Sequence, residues 1–247
     1  FIARMDADDY SYPERLSQQL ELFSRDPELS IVATRVRIVG GGAGYNAYER
    51  WQNSLTSHEA ITREILVESP LAHPSVMLRH ETLHALGGYH DRPWAEDYDL
   101  WLRAYAAGFR FAKTDAVLLE WTDHPNRASR QDPRYHERRF IECKSHYLAK
   151  TILSERPCVI WGAGRIGPML GRFLLERGVS VRAFLDVDPR KIGSTRHGRP
   201  VLSADTHRHV DGVVLLAAVG ARGARELIRR EALAMNYGEG HDFFCVA

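Results

Sequence analysis

Residues 158–174 read CVIWGAGRIGPMLGRFL, and this stretch decides the fold class of the C-terminal part of the chain. The apolar run CVIW predicts a strand, and residues 166–177 predict a helix that begins a few positions later. Between them, Gly162, Gly164 and Gly167 form a GxGxxG turn. Glycine allows close backbone approach in such a turn, and the helix N-terminus can receive a phosphate. The stretch therefore predicts one βα unit of a parallel sheet with an anion-binding turn.

The same alternation of strand and helix continues towards the C-terminus. Apolar runs predict strands at 181–185, 200–202, 213–218 and 243–246, and a helix at 221–235. This order implies a parallel sheet covered by helices on both faces. Asp186 follows the 181–185 strand, where a dinucleotide-binding fold places its ribose-binding acid. The three glycines and Asp186 are therefore candidate ligands of a nucleotide or NAD-like molecule. The alternative is a sheet used only for packing or dimerisation.

The composition is that of an ordinary globular chain with two domains. It has 247 residues, of which 44% are hydrophobic and 26% are charged. We place the boundary at residues 154–157, between a first domain of 1–153 and a second of 158–247. The net charge of +1 provides no field for nucleic acid. No apolar run approaches the roughly 18 residues of a transmembrane segment. Three cysteines without a CxxC pair predict a reducing, cytoplasmic compartment.

The densest chemical signal is the acidic cluster Asp6, Asp8 and Asp9, directly after the short apolar run FIARM. We read FIARM as the end of a buried strand, since parallel strands deliver ligand-binding residues at their C-terminal ends. Neighbouring carboxylates repel one another, and a shared cation or hydroxyl-rich ligand relieves the repulsion. Neither a calcium EF-hand loop nor a DxDxT phosphotransfer motif fits the following residues. A solvated acidic turn that caps the next helix is the alternative.

A second acidic signal is WAEDYDLWLR, in which Glu96 and Asp97 begin a predicted helix. The helix dipole favours anions at this end. A carboxylate held there could take a proton from a nucleophilic hydroxyl. Ordinary N-terminal capping acids are the alternative interpretation.

The first domain is predicted to mix helices and strands. Leu16, Leu20 and Phe23 predict the buried face of a helix over 13–25. The other predicted elements are a strand at 31–39, a helical region at 45–67 with one break, a strand at 75–79, a helix at 96–108, a strand at 117–121 and a helix at 140–153.

Four blocks in this domain resemble the family 2 glycosyltransferases of the GT-A fold. They are ARMDADDYSYPERL, SPLAHPSVMLR, GGYHDRPW and AEDYDLWLRAYAAGFRF, which match that family's DxD motif, HPSVMFR-like strand and ED motif in order. The resemblance covers about residues 1–121. In the second domain, FLDVDPRKIGSTRHGRPV resembles the small Rossmann-like domains attached to sugar-modifying transferases. The expected fold class is α/β, with the C-terminal part of a GT-A domain followed by a Rossmann-like parallel-sheet domain.

The resemblance implies inverting transfer of a hexose-type sugar from a nucleotide-sugar donor to an acceptor hydroxyl. By the family pattern, Asp8 binds Mg²⁺ or Mn²⁺ on the donor diphosphate, Asp6 contacts the nucleotide and Asp9 supports the metal. Asp97 is the expected general base, and Glu96 shapes the acceptor pocket beside it. Weaker expectations place His73 at the donor site and Arg103 on a phosphate. His124 matches only roughly the histidine that follows the last strand in many relatives. The basic segment that contains Arg127, Arg130, Arg134, Arg138 and Arg139 reads better as a solvated surface than as an acceptor site.

The family places a nucleoside-binding half before its DxD motif. We therefore expect this chain to be a fragment without that N-terminal half, and to be inactive alone. The expected acceptor is a glycan or a lipid-linked glycan in cell-envelope or exopolysaccharide synthesis. Peripheral association with the inner face of the membrane and a homodimer are both compatible with this reading. Two alternatives stay open: a nucleotide-sensing or nucleotide-sugar-sensing module with a degenerate transferase half, and an NAD-dependent oxidoreductase.

Overall fold

The computed structural model describes residues 1–247, apart from the side chains of Ala43 and Ala128. The chain divides into two compact units. The first contains Phe1–Ile65 and Ser69–His136, and the second contains Leu66–Glu68 and Glu137–Ala247. Each unit has its own sheet with helices packed on it, which confirms the predicted α/β class.

The first unit is built on a five-stranded mixed sheet. Its strands are β1 (Ile2–Ala3), β2 (Tyr10–Ser11), β3 (Leu29–Val39), β4 (Met77–Leu78) and β5 (Arg110–Thr122), in the order β1-β4-β3-β5-β2. The long strands β3 and β5 run parallel, and all the other pairs are antiparallel. Ile31, Val32, Val36 and Phe111 on these strands are fully buried, so the core of this unit lies along β3 and β5.

Six helices accompany this sheet. They are α1 (Arg15–Arg25), α2 (Ala43–Ser54), α3 (His58–Glu64), α4 (His80–Ala85), α5 (Glu96–Ala106) and α6 (Ala128–Gln131). The predicted break within 45–67 lies between α2 and α3, where Ser57 accepts a hydrogen bond from the Ala60 N–H and so caps α3. Short 3-10 turns at His73–Ser75 and Pro133–Tyr135 complete the unit.

The buried face of α1 differs from the prediction. Leu16 and Leu20 are 48% and 40% exposed, whereas Arg15 and Gln19 are buried together with Phe23. The Gln19 amide donates to the carbonyl oxygens of Val32 (2.7 Å) and Ser75 (3.0 Å). Because the Gln19 amide donates to two buried carbonyl oxygens, a polar side chain is favoured on this face. The leucine spacing identified the helix but assigned its inner face wrongly.

The first strand also differs from the expected buried parallel strand. β1 pairs antiparallel with β4, through Ile2 opposite Leu78 and Ala3 opposite Met77. Phe1 is 57% exposed and contacts the guanidinium of Arg79. The acidic cluster nevertheless follows directly after this strand, as predicted.

The second unit contains a six-stranded sheet that is parallel except at one edge. Its strands are β6 (Cys158–Trp161), β7 (Val181–Asp186), β8 (Thr195–Arg196), β9 (Arg199–Ser203), β10 (Val214–Ala217) and β11 (Phe243–Cys245), in the order β11-β10-β6-β7-β9-β8. Only the β8–β9 hairpin is antiparallel. Its helices are α7 (Glu137–Lys150), α8 (Ile166–Glu176) and α9 (Ala224–Ala234). The strand order reverses direction between β6 and β10, which is the topological switch point of such sheets.

Helix α7 belongs to the second unit, although the sequence analysis places the boundary after it, at 154–157. Lys144 on α7 is buried, and its ammonium group donates to the carbonyl oxygens of Val67 (2.7 Å) and Val246 (2.9 Å). A buried lysine requires such acceptors, and these tie α7 to the end of the second sheet.

Two further features concern the cysteines and the helices. Cys143, Cys158 and Cys245 are all buried and form no disulfide with one another. Across the described residues, no helix combines the length and apolar character that crossing a bilayer requires.

Candidate functional site

The acidic loop between β1 and β2 gathers three carboxylates. Asp6, Asp8 and Asp9 each offer one oxygen atom, and these atoms all lie within 4.8 Å of one another. The loop is fastened to the end of β5 by Thr122. The Thr122 N–H donates to Asp9 Oδ1 (2.8 Å), and its hydroxyl donates to the carbonyl oxygen of Asp8 (2.6 Å). The end of β5 therefore holds this loop, with its three neighbouring carboxylates, in place.

The electrostatics of this loop suit a divalent cation. Burial raises the pKa of Asp9 to about 6, and its Oδ2 atom is buried without a hydrogen-bond partner. A hydrogen bond with His124 lowers the pKa of Asp8. Clustered carboxylates with an unsatisfied buried oxygen are the donor set that Mg²⁺ and Mn²⁺ prefer. The residues present therefore fit the metal that the sequence analysis expects.

His124 is a site residue that the sequence analysis left unassigned. Its Nε2 lies 2.9 Å from Asp8 Oδ2, and it follows β5 by two positions. His124 and Asp8 are 116 positions apart in the sequence, so no local pattern could show their contact. A histidine placed just after the last strand of the sheet is the only signal that pointed to it.

A cavity of about 290 Å³ lies beside the acidic loop within the first unit. It is lined by four polar side chains and three aliphatic ones: Arg4, His73, Tyr89 and Glu96, with Ile2, Leu78 and Leu83. Arg4 forms an ion pair with Asp6 and so connects the acidic loop to this cavity. A mixed lining of this kind suits a sugar ring, which has apolar faces and a hydroxyl edge.

Arg15, which the sequence analysis did not select, fixes the position of Arg4. Its guanidinium is buried and donates to the carbonyl oxygen of Arg4 at 2.6 Å and to that of Val76 at 3.3 Å. It thus holds the strand end that leads into the acidic loop.

The predicted carboxylate pair begins α5, as the sequence indicated. Glu96 Oε1 accepts a hydrogen bond from the Tyr135 hydroxyl (3.0 Å), and Asp97 Oδ1 accepts one from the Tyr98 N–H (2.8 Å). Glu96 Oε2 is buried without a hydrogen bond, and Arg134 Nη1 lies 3.8 Å from it. Glu96 also lines the cavity, so its side chain lies next to the space that a ligand could occupy.

Arg103 does not take the phosphate-facing role considered from the sequence. Its Nε donates to Asp99 Oδ2 (2.8 Å), and its Nη1 and Nη2 donate to the carbonyl oxygens of Leu86 (2.5 Å) and Gly88 (2.8 Å). With these groups engaged, Arg103 holds the segment after α4 against α5. Trp101 is fully buried, so it is a core residue.

His73 lies at the cavity as an uncharged side chain. Burial lowers the pKa of His73 to about 4, and its Nε2 is 2.8 Å from the Tyr89 hydroxyl. A neutral imidazole can exchange a hydrogen bond with a sugar hydroxyl but adds no charge to neutralise a diphosphate. Its placement in the donor site stays a prediction.

In the second unit, the glycine turn has the geometry that the motif predicts. Gly162 has a φ of +127°, and a Cβ at Gly167 would lie 1.8 Å from the carbonyl oxygen of Gly162. Gly164 is open, because a Cβ there would meet nothing closer than Lys191 Nζ at 4.0 Å. The turn therefore requires glycine at its first and third positions for packing, whereas Gly164 leaves room for a ligand.

Asp186 is engaged within the protein. Its Oδ2 accepts hydrogen bonds from the Ala163 N–H and from Lys191 Nζ, both at 3.0 Å, and its Oδ1 accepts one from the Asp188 N–H at 2.9 Å. Both oxygens thus stabilise the glycine turn and the loop that follows β7. Because both oxygens already accept hydrogen bonds from the protein, Asp186 has less capacity to bind the ribose that the sequence analysis expects.

Comparison with known proteins agrees with the geometry of the first unit. Residues 1–87 match the model of the family described as Glycosyl transferase family 2. These residues include the acidic loop and end before Glu96. The match and the relatives below show that this chain is similar to glycosyltransferases.

Three relatives are named as glycosyltransferases. The chain is 26% identical over 160 residues to the O-antigen biosynthesis glycosyltransferase WbnJ of Escherichia coli, covering 64% of this chain and 61% of that protein. It is 28% identical over 123 residues to the amylovoran biosynthesis glycosyltransferase AmsE of Erwinia amylovora, covering 48% and 43%. A UDP-Gal:alpha-D-GlcNAc-diphosphoundecaprenol beta-1,3-galactosyltransferase of Escherichia coli is 22% identical over 159 residues, covering 64% and 57%. The chain therefore spans roughly half the length of these relatives.

Proposed function

We propose that the chain is part of a metal-dependent, inverting glycosyltransferase that acts in the synthesis of cell-envelope or exported polysaccharide. The single observation that carries this proposal is the Thr122-fastened cluster of Asp6, Asp8 and Asp9, with its unsatisfied buried oxygen. The glycosyltransferase relatives support the reaction class, and the names of the first two support the polysaccharide context.

In this proposal the acidic loop binds the donor diphosphate through Mg²⁺ or Mn²⁺. Asp8 and Asp9 would hold the metal, and Asp6 would contact the nucleotide. The metal, when bound, neutralises charge that develops on the departing nucleoside diphosphate. The hydrogen bond with His124 lowers the pKa of Asp8, so Asp8 stays ionised to lower pH than an ordinary aspartate.

The carboxylates at the start of α5 would act on the acceptor. Asp97 would remove the proton of the attacking hydroxyl, and Glu96 would orient the acceptor sugar from the cavity. Inversion needs one displacement, so no nucleophile of the protein is required. The donor would be a nucleotide sugar and the acceptor a glycan or a lipid-linked glycan.

The test is sugar transfer by the complete reading frame that contains this chain. The donors are UDP-, GDP- and dTDP-sugars with Mn²⁺, compared among wild type, Asp8→Asn, Asp97→Asn and the exposed-acid control Asp115→Asn. We expect turnover of one donor class that Asp115→Asn retains and the other two variants lose. Metal-independent turnover, or full activity of Asp8→Asn, would refute the proposal.

A second candidate function concerns the second unit alone. The open position at Gly164, beside Lys191, favours binding of a phosphate-bearing nucleotide there. Equilibrium dialysis of ATP, UDP and NAD tests it, with Gly164→Asp as the blocking variant. Nucleotide binding confined to this unit, together with no transfer activity, would favour a nucleotide-sensing module instead. Binding of NAD with hydride transfer would favour the oxidoreductase.

A further inference from the structure

The segment that follows β5 holds Arg127, whose guanidinium packs against an aromatic ring. The Arg127 guanidinium lies 4.4 Å from the centre of the Trp121 ring. Its Nη1 is buried and has no hydrogen-bond partner, and among the described residues no carboxylate forms an ion pair with it. A buried donor without an acceptor carries a desolvation cost, which the acceptor atom of a ligand would relieve.

The position of Arg127 is well fixed by its surroundings. Trp121 packs against the core cluster of Val36, Ala72 and Leu119, so the ring that supports the guanidinium is anchored. The Arg127 N–H donates to the carbonyl oxygen of His124 at 3.1 Å, which makes a tight turn between them. Stacking on an aromatic ring orients a guanidinium at little further cost.

The neighbouring carboxylates interact with Arg127 only at longer range than an ion pair. The nearest buried acid of this segment, Asp123, is already occupied by Arg130, whose Nε donates to Asp123 Oδ1 at 2.9 Å and whose Nη2 pairs with Asp123 Oδ2. Arg127 lies within electrostatic range of Asp8 and Asp9. Arg127 therefore lies near the acidic loop but forms no ion pair with the carboxylates that the structure describes there.

We propose that Arg127 binds the diphosphate of the donor and of the leaving nucleoside diphosphate. The proposal rests on the proposed function, because it assigns Arg127 to the same site. A guanidinium matches phosphate oxygens through paired N–H groups, and here it complements the carboxylate-held cation. Trp121 acts as a positioning residue that holds Arg127 in place.

Inorganic pyrophosphate is the suitable probe, because it carries the diphosphate without a base or a sugar. Isothermal titration calorimetry measures Mn²⁺ alone and then pyrophosphate in the presence of Mn²⁺, using the whole chain. The variants are Arg127→Gln, Arg127→Lys and Asp8→Asn. Arg138→Gln is the matched control, since Arg138 also stacks on an aromatic ring, Phe173 at 5.8 Å, in the second unit.

We expect Arg127→Gln to lower the affinity for pyrophosphate at least tenfold while the affinity for Mn²⁺ alone stays within twofold. Arg127→Lys should retain part of the affinity, because a point charge replaces a paired donor. Arg138→Gln should behave as wild type. If Arg127→Gln does not fold, the pyrophosphate affinity of Arg127→Lys still tests the proposal.

The outcomes separate this inference from the proposed function. If wild type binds pyrophosphate with Mn²⁺, Asp8→Asn abolishes it and both Arg127 variants bind as wild type, the inference is wrong and the metal site stands. If wild type binds neither Mn²⁺ nor pyrophosphate, the metal-dependent function fails and the role of Arg127 fails with it.

Discussion

Asp9 should lower the stability of the protein at neutral pH, and Asp9→Asn should raise it. Burial raises the pKa of Asp9 from its ordinary 3.8 to about 6, so the folded state holds a proton that the unfolded state has already lost. Stability therefore falls as the pH rises from about 4 to about 6, and the loss persists above that range. Asparagine keeps an oxygen for the Thr122 N–H and cannot ionise, so the variant should lack this loss.

The magnitude follows from the two pKa values. The difference between 3.8 and about 6 corresponds to about 3 kcal/mol at 1.36 kcal/mol per pKa unit. Asp9 is only half buried, and solvent screening reduces the effect to about 1–1.5 kcal/mol.

Urea unfolding at pH 4 and pH 7.5, in EDTA, measures this change. We expect equal stability of Asp9→Asn and wild type at pH 4 and a more stable variant at pH 7.5. Asp8→Asn is the control of opposite sign. The pKa of Asp8 is lowered by His124, so wild type gains stability from Asp8 as the pH rises and the variant loses it. Asp9→Asn being less stable than wild type at pH 7.5 would refute the reasoning.

Three further predictions concern packing and chemistry. Gln19→Leu should cost about 2 kcal/mol in urea unfolding, because it removes the buried hydrogen bonds to the Val32 and Ser75 carbonyls. Leu16→Gln, at an exposed position, should change the stability by less than about 0.5 kcal/mol, and equal effects of the two variants would contradict the assignment of the buried face. Gly167→Ala should disrupt the second unit, because its Cβ would lie 1.8 Å from the Gly162 carbonyl oxygen. Circular dichroism and proteolysis detect the loss of structure, and the control Gly164→Ala, whose Cβ would meet nothing closer than 4.0 Å, should fold normally. A folded Gly167→Ala protein would show that the turn tolerates a shift. In the complete reading frame, Asp97→Asn should reduce kcat by about 10²–10⁴ with little change in the donor KM, and an unchanged kcat would remove Asp97 as the base.

Local sequence patterns were sufficient where one segment determines its own structure. The CVIW strand, the glycine turn and helix α8 follow one another within residues 158–176, and the structure confirms all three. The acidic loop and the start of α5 were also identified from their own residues. In each case the deciding interactions lie between near neighbours in the sequence.

The features that the sequence did not reveal depend on contacts between distant segments. Arg15 and Gln19 are buried because carbonyl oxygens of other segments need donors there, and hydrophobic periodicity cannot show such carbonyls. The same holds for two other contacts between distant segments. His124 pairs with Asp8, and the Lys144 ammonium donates to the carbonyl oxygens of Val67 and Val246. Burial of a polar side chain is decided by its tertiary acceptors, and these are known only once the sheets are assembled.

The most direct test of the account is a titration of the whole chain with Mn²⁺, followed by electron paramagnetic resonance at pH 7.5. The account predicts one bound Mn²⁺ per chain in wild type and in Asp115→Asn, with binding abolished in Asp8→Asn and weakened in Asp9→Asn. Binding should also weaken as the pH falls below about 6, where Asp9 takes up a proton. Equal Mn²⁺ affinity in wild type and Asp8→Asn would contradict the assignment of the acidic loop as the metal-binding donor site.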